Sequence, residues 1–510
     1  MKEMTRRSFM KNTAAATGAL TIGTAIPGVW LSCSKVNVKG YFESEFGITE
    51  SMYQKVLAEA LSKGGDFADL YFEHTISNWI MLEDGKVNRA YSQVDLGVGI
   101  RTVNGDQVGY GFTQELTEAS MMAAASTAAT IADSNSKNPA ASYTSLKTEN
   151  YYPLKSLLST VPLESKLPLV QSVNDQCFDL SSNIIKVSAG FHDQQKRTLV
   201  VSSDGVKAED LLPRNYLYAS VVAEKDGKRE RSGWNLGGRK DFSYYTPEVV
   251  TEVAKTAVDH VNVLFEAVQP PAGEMPVVLG PGVTAILLHE AIGHGMEADF
   301  NRKNVSTYAT MIGKKVAEPF VTIVDDATNP KLPGSLNVDD EGTPGQKTVL
   351  VDNGILSSYM HDKISAKHYK LEPTGNGRRE SYQHYVQPRM RNTYMLPGPS
   401  KPEDVIKSVK KGIYVKTVSN GQVQIGAGDF AFFVSQGNLI EDGKITAPIK
   451  DINIMGNGPK MLTNITMLAD DLEMSKGGGG MCGKGGQGVP VGFGQPTCLV
   501  KSMTVGGKKA

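Results

Sequence analysis

Two histidines and a glutamate stand close together near the middle of the chain, in the run LLHEAIGHGMEADF. They are His289, Glu290 and His294. The order is close to H-E-x-x-H, in which two histidines of one helix bind zinc and the glutamate is the general base. Such polar groups at the end of an apolar helix are costly to bury unless they are paired or bind a metal. The run therefore predicts a metal site, with two core histidines held by backbone groups as the alternative.

The histidines are five residues apart instead of four, and an ordinary α-helix cannot direct both at one ion. Residues five apart lie about 140° around an ideal helix, whereas residues four apart lie about 40° around it. One turn of π-helix would align the two side chains, and such turns are frequent at functional sites. Gly293 and Gly295 flank the second histidine. We therefore predict a helix that is widened or broken at Gly293.

A catalytic zinc site also needs a third protein ligand and one open position. The candidates are Glu297, Asp299 and a distant cysteine. Cys482 lies in the glycine-rich run GGGGMCGKGGQG, where the backbone can bend so that the thiolate approaches another group. Glu290 would be the general base that takes a proton from the water activated by the metal, and the reaction would be amide hydrolysis without a covalent enzyme intermediate.

The elements around these residues mix helices and strands in the first half of the chain. Apolar spacing predicts a helix over 49–61, a further helix is predicted over 163–180, and Thr246-Pro247-Glu248 is a helix start that leads to about Ala267. Asp84-Gly85 predicts a hairpin turn between two apolar runs. After the HEAIGH helix the patterns are mostly those of β-strands.

These patterns predict an α+β fold with two domains. The N-terminal domain, residues 34–267, would be mixed α/β, and the C-terminal domain, residues 268–510, would be mostly antiparallel β and carry the metallopeptidase site. Residues 268–273 are the predicted boundary, because two prolines and a glycine interrupt two apolar elements there.

Composition excludes several other classes of protein. The chain has 510 residues, a net charge of -1, 40% hydrophobic and 21% charged residues, which is ordinary for a globular protein. No bulk positive charge favours nucleic acid or an anionic membrane, so no nucleic-acid partner is expected. Four cysteines in a chain of this length are not a disulfide framework.

The first 33 residues have the build of an export signal. A twin-arginine segment, Arg6 to Lys11, precedes a mild apolar run over 13–26 that is too short to span a bilayer. Leu31-Ser32-Cys33 resembles the end of a lipoprotein signal. We predict export by the twin-arginine route, with the mature protein periplasmic or anchored to the membrane by a lipid on Cys33. A frayed basic N-terminus is the alternative.

A loop of different character lies at Thr374-Gly375-Asn376-Gly377-Arg378-Arg379. Its glycines and arginines are typical of an anion-binding turn, which would clamp a substrate carboxylate or backbone. The alternative is a tight surface loop with exposed arginines.

Five separated motifs, in this order, resemble the TldD/PmbA family of metalloproteases, also called modulators of DNA gyrase. The motifs are HEAIGHGMEADFNRK, VDDEGTPGQ (Val338 to Gln346), PTGNGRRESY (Pro373 to Tyr382), RNTYMLPG (Arg391 to Gly398) and MCGKGGQGVPVGFGQPT (Met481 to Thr497). The resemblance extends over roughly Val277 to Gly507, and it implies the fold and the peptidase activity of that family.

The resemblance also implies roles for individual residues. His289, His294 and Cys482 would bind Zn²⁺, and Glu290 would be the catalytic glutamate, which favours Cys482 over Glu297 as the third ligand. Because this chain keeps both histidines, it resembles the catalytic TldD-like subunit and not its paralogous partner.

Family members form dimers of two copies, or of an active subunit with a non-catalytic paralogue, and they cleave unfolded or short peptides. The resemblance implies that a peptide adds as a strand to a sheet edge, a mode that reads backbone more than side chains. Two other functions stay open: a non-catalytic peptide-binding scaffold with a structural metal, and a metal-dependent amidase acting on a non-peptide substrate.

Overall fold

A computed structural model describes residues 40–132 and 142–507 of the chain. The predicted export signal and Cys33 lie outside these residues. Helices and mostly antiparallel strands occur together, so the predicted α+β fold is confirmed. The predicted boundary near residue 268 stays a prediction.

Before residue 268, the described residues form five α-helices and one sheet. The helices are α1 Tyr41–Phe46, α2 Glu50–Ala60, α3 Glu118–Ala129, α4 Leu163–Leu180 and α5 Pro247–Val263. The strands are β1 Phe67–Glu83, β2 Lys86–Asn104, β3 Gln107–Thr113, β4 Thr144–Ser145, β5 Ile184–Ser202, β6 Val206–Lys225 and β7 Lys228–Gly238.

These seven strands form one sheet in the order β3-β2-β1-β5-β6, and β6 also pairs with β4 and β7. All pairings are antiparallel except that of β4 with β6. Two apolar clusters cover the sheet. One joins α4 and α5 to β5 and β6 through residues such as Val173, Val258 and Leu217, and the other joins α2 and α3 to β1 and β2 through Leu57, Met121 and Phe72. The alternating apolar residues of the long strands thus determine which face each helix pair covers.

The rest of the chain has short helices and many strands. Its helices are α6 Ile286–Leu288, α7 Ala298–Arg302, α8 Lys363–Tyr369, α9 Pro402–Lys407 and α10 Gly458–Thr463. Its strands are β8 Gly273–Leu279, β9 Ile323–Asp326, β10 Lys347–Asp352, β11 Ile355–Leu356, β12 Gly377–Arg378, β13 Gln387–Pro388, β14 Asn392–Met395, β15 Lys411–Gln424, β16 Asp429–Glu441, β17 Lys444–Ile449, β18 Ile452–Asn457, β19 Ile465–Leu468, β20 Glu473–Met474, β21 Met481–Lys484, β22 Gln487–Pro490, β23 Gly492–Gln495 and β24 Cys498–Gly507.

Two larger sheets and two hairpins position the site. One sheet has the order β15-β8-β24-β18-β16-β17, and a pairing between β15 and β16 closes five of its strands into a ring. The other has the order β11-β10-β9-β14-β23-β20. A single apolar core contains residues of both sheets together with Leu287, Leu288, Ile292 and Cys482. The predicted metal-binding segment is therefore a buried element of the core, where packing on every side restricts its geometry.

The local predictions compare well with the observed elements. The helix predicted over 163–180 is α4 with the same bounds, and Asp84-Gly85 forms the turn between β1 and β2. Pro247 is the first residue of α5, in agreement with the predicted start. Among the described residues, no helix has the length and apolar character needed to cross a membrane.

Candidate metal centre

The backbone around His289 departs from an α-helix at the point that the histidine spacing predicts. The chain leaves α6 into a turn of π-helix, His289–Gly293, in which the N–H of His294 donates to the carbonyl of His289. That hydrogen bond spans five residues and returns the second histidine to the side of the first. The two imidazole rings lie 5.2 Å apart between centroids. The prediction of a widened helix is confirmed.

Gly293 and Gly295 make room for neighbouring side chains and do not break the helix, contrary to the predicted break at Gly293. Gly293 has the helical angles φ -56° and ψ -52°, so the backbone is not broken there. A Cβ atom at Gly293 would instead lie 2.1 Å from Sδ of Met390, and one at Gly295 would lie 2.7 Å from the ring of Tyr308. The glycines are required because neighbouring side chains pack directly against the backbone.

Cys482 reaches the histidines from the hairpin of β21 and β22. Its Sγ lies 3.3 Å from Nε2 of His294, and one donor atom from each of His289, His294 and Cys482 lies within 4.8 Å of the other two. All three side chains are buried, with exposures of 2%, 3% and 1%. Two segments far apart in the chain thus place two nitrogens and one sulfur around one point, which is a donor set that suits zinc.

Arg389 holds the cysteine hairpin in place. Its guanidinium donates to the backbone carbonyl of Cys482 at 2.5 Å and to that of Gln487 at 3.3 Å. These two residues lie on opposite strands of the hairpin, so one buried cation joins both strands. The hairpin is short, and the bonds from Arg389 restrict where Sγ of Cys482 can lie.

Glu297 supports the site from behind His294 and does not join the donor cluster. Its Oε2 lies 2.9 Å from Nδ1 of His294 and 3.1 Å from Nζ of Lys484. Burial raises the pKa of Glu297, but Lys484 and His294 outweigh burial and hold it at about 2. Asp299, the other acidic candidate, pairs with Lys484 at 2.7 Å. A carboxylate on the second ring nitrogen fixes the tautomer that leaves Nε2 free for a metal.

Glu290 is the acid that faces the cluster with access to solvent. Its Oε2 lies 3.7 Å from Nε2 of His294, and 24% of its side chain is exposed. That distance is longer than a hydrogen bond, and it leaves the carboxylate beside the donor atoms without a direct bond to the ring.

The electrostatics of the cluster fit a cation. Burial raises the pKa of Cys482, but His289 and His294 outweigh burial and lower it well below its ordinary value. Burial lowers the pKa of His294, whereas Glu297 and Cys482 raise it well above its ordinary value. Nδ1 of His289 is buried and has no hydrogen-bond partner. The anionic groups favour a positive charge at this point, and a metal ion satisfies the nitrogen and sulfur donors together.

The loop predicted as an anion-binding turn is also buried. Arg378 and Arg379 are 3% and 2% exposed, so the alternative of a surface loop with exposed arginines is wrong. Nη2 of Arg379 lies 3.1 Å from Oδ1 of Asp69 in β1. This buried ion pair joins the two parts of the chain.

Three family models match this chain in succession. The PmbA/TldA metallopeptidase domain 1 matches residues 68–132, the central domain matches 157–264, and the C-terminal domain matches 272–507. The chain belongs to the PmbA/TldD family of metallopeptidases. The predicted family and the coarse function are thereby confirmed, and the metal centre lies in the segment matched by the C-terminal domain.

Individual relatives agree with the family. A metalloprotease TldD homolog of Haemophilus influenzae is 42% identical over 458 residues, which cover 87% of this chain and 93% of the relative. A zinc metalloprotease TldD homolog of Saccharolobus solfataricus is 29% identical, over 89% of this chain and 99% of the relative. A Thermotoga maritima protein described as a modulator of a DNA gyrase has the same fold, with a TM-score of 0.73 at 21% identity, over 90% of this chain and all of that one.

Sequence reasoning missed three supporting residues of the PmbA/TldD site. Glu297 was considered only as a ligand, and Arg389 and Lys484 were not considered. Lys484 lies two residues after Cys482 in the same glycine-rich motif, which was the one available signal. Arg389 could not be found from spacing, because its role depends on tertiary contact with the hairpin.

Proposed function

We propose that this PmbA/TldD chain is a zinc-dependent peptidase of the H-E-x-x-x-H type that hydrolyses unfolded or short peptides. The observation that supports it is the convergence of donor atoms from His289, His294 and Cys482 within 4.8 Å beside Glu290. The name of the Saccharolobus relative, a zinc metalloprotease, supports zinc as the metal. Three protein ligands leave the open position that a catalytic zinc site needs.

When bound, zinc would supply a Lewis acid that lowers the pKa of a water molecule and polarises a peptide carbonyl. The protein's own residues do the rest. Glu297 holds the His294 ring by its Nδ1, and Arg389 holds the hairpin that carries Cys482. Glu290 accepts a proton at its carboxylate from the attacking water and returns it to the amine nitrogen of the leaving peptide. Its partial exposure gives it access to both groups.

The partner that we propose is a second copy of the chain or a non-catalytic paralogue. Support comes from β2, whose residues 86–97 pair with β1 on one edge and have no strand on the other edge within the described part of the chain. Val87, Tyr91 and Val94 of this segment are 52%, 49% and 60% exposed. A long edge with apolar side chains is a template for pairing with another chain.

The proposed location follows from residues 1–33. We propose export by the twin-arginine route and a lipid on Cys33, so that the substrates are peptides outside the cytoplasm. Fractionation of cells that express the chain tests this proposal. Replacing Arg6 and Arg7 by lysine should leave the protein in the cytoplasm, and Cys33→Ala should release it from the membrane fraction. An unchanged distribution in both variants contradicts the proposal.

The first experiment measures zinc content and peptide hydrolysis in the same purified samples. The parent should contain about one zinc per chain and should cleave a mixed pool of unfolded peptides. Cys482→Ala should lose the metal and the activity. Glu290→Gln should keep the metal and lose activity by at least about a hundredfold, because general-base catalysis is worth that much.

Two variants serve as matched controls. Cys498→Ala removes another buried cysteine that lies in β24, outside the donor cluster, and should keep both zinc and activity. Glu248→Gln removes an acid at the start of α5 and should also leave activity unchanged. If Cys482→Ala binds zinc as well as the parent, the ligand assignment is wrong. If the parent binds zinc but cleaves only small non-peptide amides, the amidase function replaces the peptidase. If it binds zinc and cleaves neither peptides nor amides, the scaffold function replaces it.

A further inference from the structure

A cavity of about 190 Å³ lies between the first sheet and the hairpin that carries Cys482. Arg214 of β6 lines one wall, and Arg378 with Met481 and Pro490 of the hairpin line the opposite wall. Met481 and Pro490 are cross-strand partners in that hairpin. Because side chains alternate along a strand, they lie on the face opposite to Cys482. Val489, the cross-strand partner of Cys482, also borders the cavity, but none of His289, Glu290, His294 and Cys482 lines it, so the cavity adjoins the metal centre without sharing its ligands.

Three arginines of this cavity are buried without an acidic partner. Arg214, Arg239 and Arg378 are 8%, 3% and 3% exposed, and within the described residues no carboxylate forms an ion pair with any of them. Their hydrogen bonds go to backbone carbonyls: Arg214 to Gly478 at 3.2 Å, Arg239 to Pro213 at 3.1 Å, and Arg378 to Met390 and Pro490 at 2.5 and 2.8 Å. A buried guanidinium is costly unless an anion compensates it.

Arg239 has a buried hydrogen-bond donor for which the protein supplies no acceptor. Its Nε atom is buried and has no hydrogen-bond partner. Burial also lowers the pKa of Arg239, with Tyr152 and Asp210 opposing that change, and it lowers the pKa of Arg378 to about 10. The nearby acids do not offset the lost hydration of these cations.

The other charged groups of the wall are already engaged. Arg379 pairs with Asp69 at 3.1 Å, and Lys196 pairs with Glu73 at 3.2 Å. The remaining carboxylates accept hydrogen bonds from protein groups: Asp340 from the N–H of Arg379 at 2.8 Å, Glu380 from the N–H of Gly488 at 2.6 Å, and Asp95 from Gln93 at 2.8 Å. The lining of the cavity thus contains four carboxylates against five cations, the four arginines and Lys196, so it keeps an excess of positive charge.

We propose that this cavity is a binding site for an oxyanion, a carboxylate or phosphate group, held by Arg214, Arg239 and Arg378. Guanidinium groups match both anions through paired N–H···O bonds. A volume of about 190 Å³ admits one such group with a few attached atoms and excludes a folded partner. The same chemistry is carried by free phosphate and by the C-terminal carboxylate of a peptide. The site does not depend on the peptidase proposal, because the metal ligands take no part in it.

The test is isothermal titration calorimetry of the metal-loaded protein at constant ionic strength. The probes are inorganic phosphate, N-acetylalanine as a peptide carboxylate, and N-acetylalanine amide as its neutral match. At least one anion should bind, and the amide should not. Arg214→Gln and Arg378→Gln should each weaken binding by about tenfold or more, since a charged hydrogen bond is worth that much. Arg229→Gln is the control, because Arg229 is an exposed arginine of β7 with 70% of its side chain accessible.

Each result has a defined meaning. Binding of phosphate alone identifies a free inorganic anion as the ligand, and binding of N-acetylalanine but not its amide identifies a peptide end. The proposal is overturned if neither anion binds, or if both arginine variants bind like the parent. Should a variant fail to fold, labelling of the parent with phenylglyoxal gives the answer. The anion should slow modification of Arg214, Arg239 and Arg378 and not of Arg229, and equal rates with and without it overturn the proposal.

Discussion

Nδ1 of His294 lies 2.9 Å from Oε2 of Glu297, and this contact determines which nitrogen of the ring faces Cys482. The carboxylate is itself held by Lys484 at 3.1 Å, so a buried chain of charges orients the ring. Glu297, a candidate ligand by sequence, thus lies one step away from the cluster of His289, His294 and Cys482 and supports it through His294.

Glu297→Gln should weaken metal binding by about 10- to 100-fold, which is the usual loss when the carboxylate behind a metal-bound histidine is removed. Glutamine keeps the shape and an acceptor oxygen, but it removes the charge that favours the correct tautomer. Competition with a chromophoric chelator measures the affinity. Glu318→Gln, at an exposed acid that pairs with Lys315, is the control and should bind like the parent. Parent-like affinity in Glu297→Gln would show that His294 is oriented by packing alone.

Gly293→Ala should destabilise the protein by about 1–3 kcal/mol, a typical cost of overpacking a core. The new methyl group would lie 2.1 Å from Sδ of Met390, a side chain with no exposed surface. Adding Met390→Ala should recover part of the loss, because it removes the atom that clashes. Urea denaturation of the parent, both single variants and the double variant measures this coupling. Additive losses in the double variant would mean that the contact with Met390 is not the reason for the glycine.

Sequence patterns predicted those features that depend on local spacing. Thr246 and Pro247 predicted the start of α5, and the five-residue spacing of His289 and His294 predicted the π-helical turn, because in each case the geometry is contained in one segment. Cys482 is different. It meets His294 across 188 positions, and its glycine-rich surroundings favoured it as the third ligand, with Glu297 and Asp299 as the other candidates.

The positions of three buried arginines could not be predicted from local sequence patterns. Arg378 and Arg379 lie in a glycine-rich turn, which by composition alone suits a surface loop, yet both are buried against the first sheet. Arg389 supports the hairpin of Cys482 through two backbone carbonyls. Such contacts form only when distant elements pack together, and no periodicity records them.

Glu341→Gln should lower the free energy of unfolding by about 3–5 kcal/mol, the usual cost of breaking a buried ion pair from one side. Arg101 of β2 contacts both Asp69 and Glu341, and all three side chains have 0% exposure. The substitution leaves part of the positive charge of Arg101 uncompensated. Glu118→Gln breaks an exposed pair with Lys55, at 45% and 53% exposure, and should cost less than about 1 kcal/mol. Equal denaturation midpoints for the two variants would contradict the role of this network.

His361 should make the protein less stable as the pH falls from about 6.5 to about 4. Burial lowers the pKa of His361 to about 4, and Nδ1 of its ring has no hydrogen-bond partner. Above the ordinary pKa of histidine, both the folded and the unfolded chain carry a neutral ring. Below it, the unfolded chain gains a proton that the folded chain takes up only near pH 4, so acid favours unfolding by up to about 3 kcal/mol from this residue.

The measurement compares denaturation of the parent and of His361→Gln at pH 7.5 and pH 5. The difference in unfolding free energy between the two proteins should shrink as the pH falls, because the variant lacks the group that titrates. His368→Gln is the matched control, since His368 lies in the same segment and is exposed. It removes an exposed ring from the same segment, so an effect of losing any histidine there would appear in both variants. If the difference for His361→Gln stays constant, the folded chain takes up this proton as readily as the unfolded chain, and the prediction is wrong.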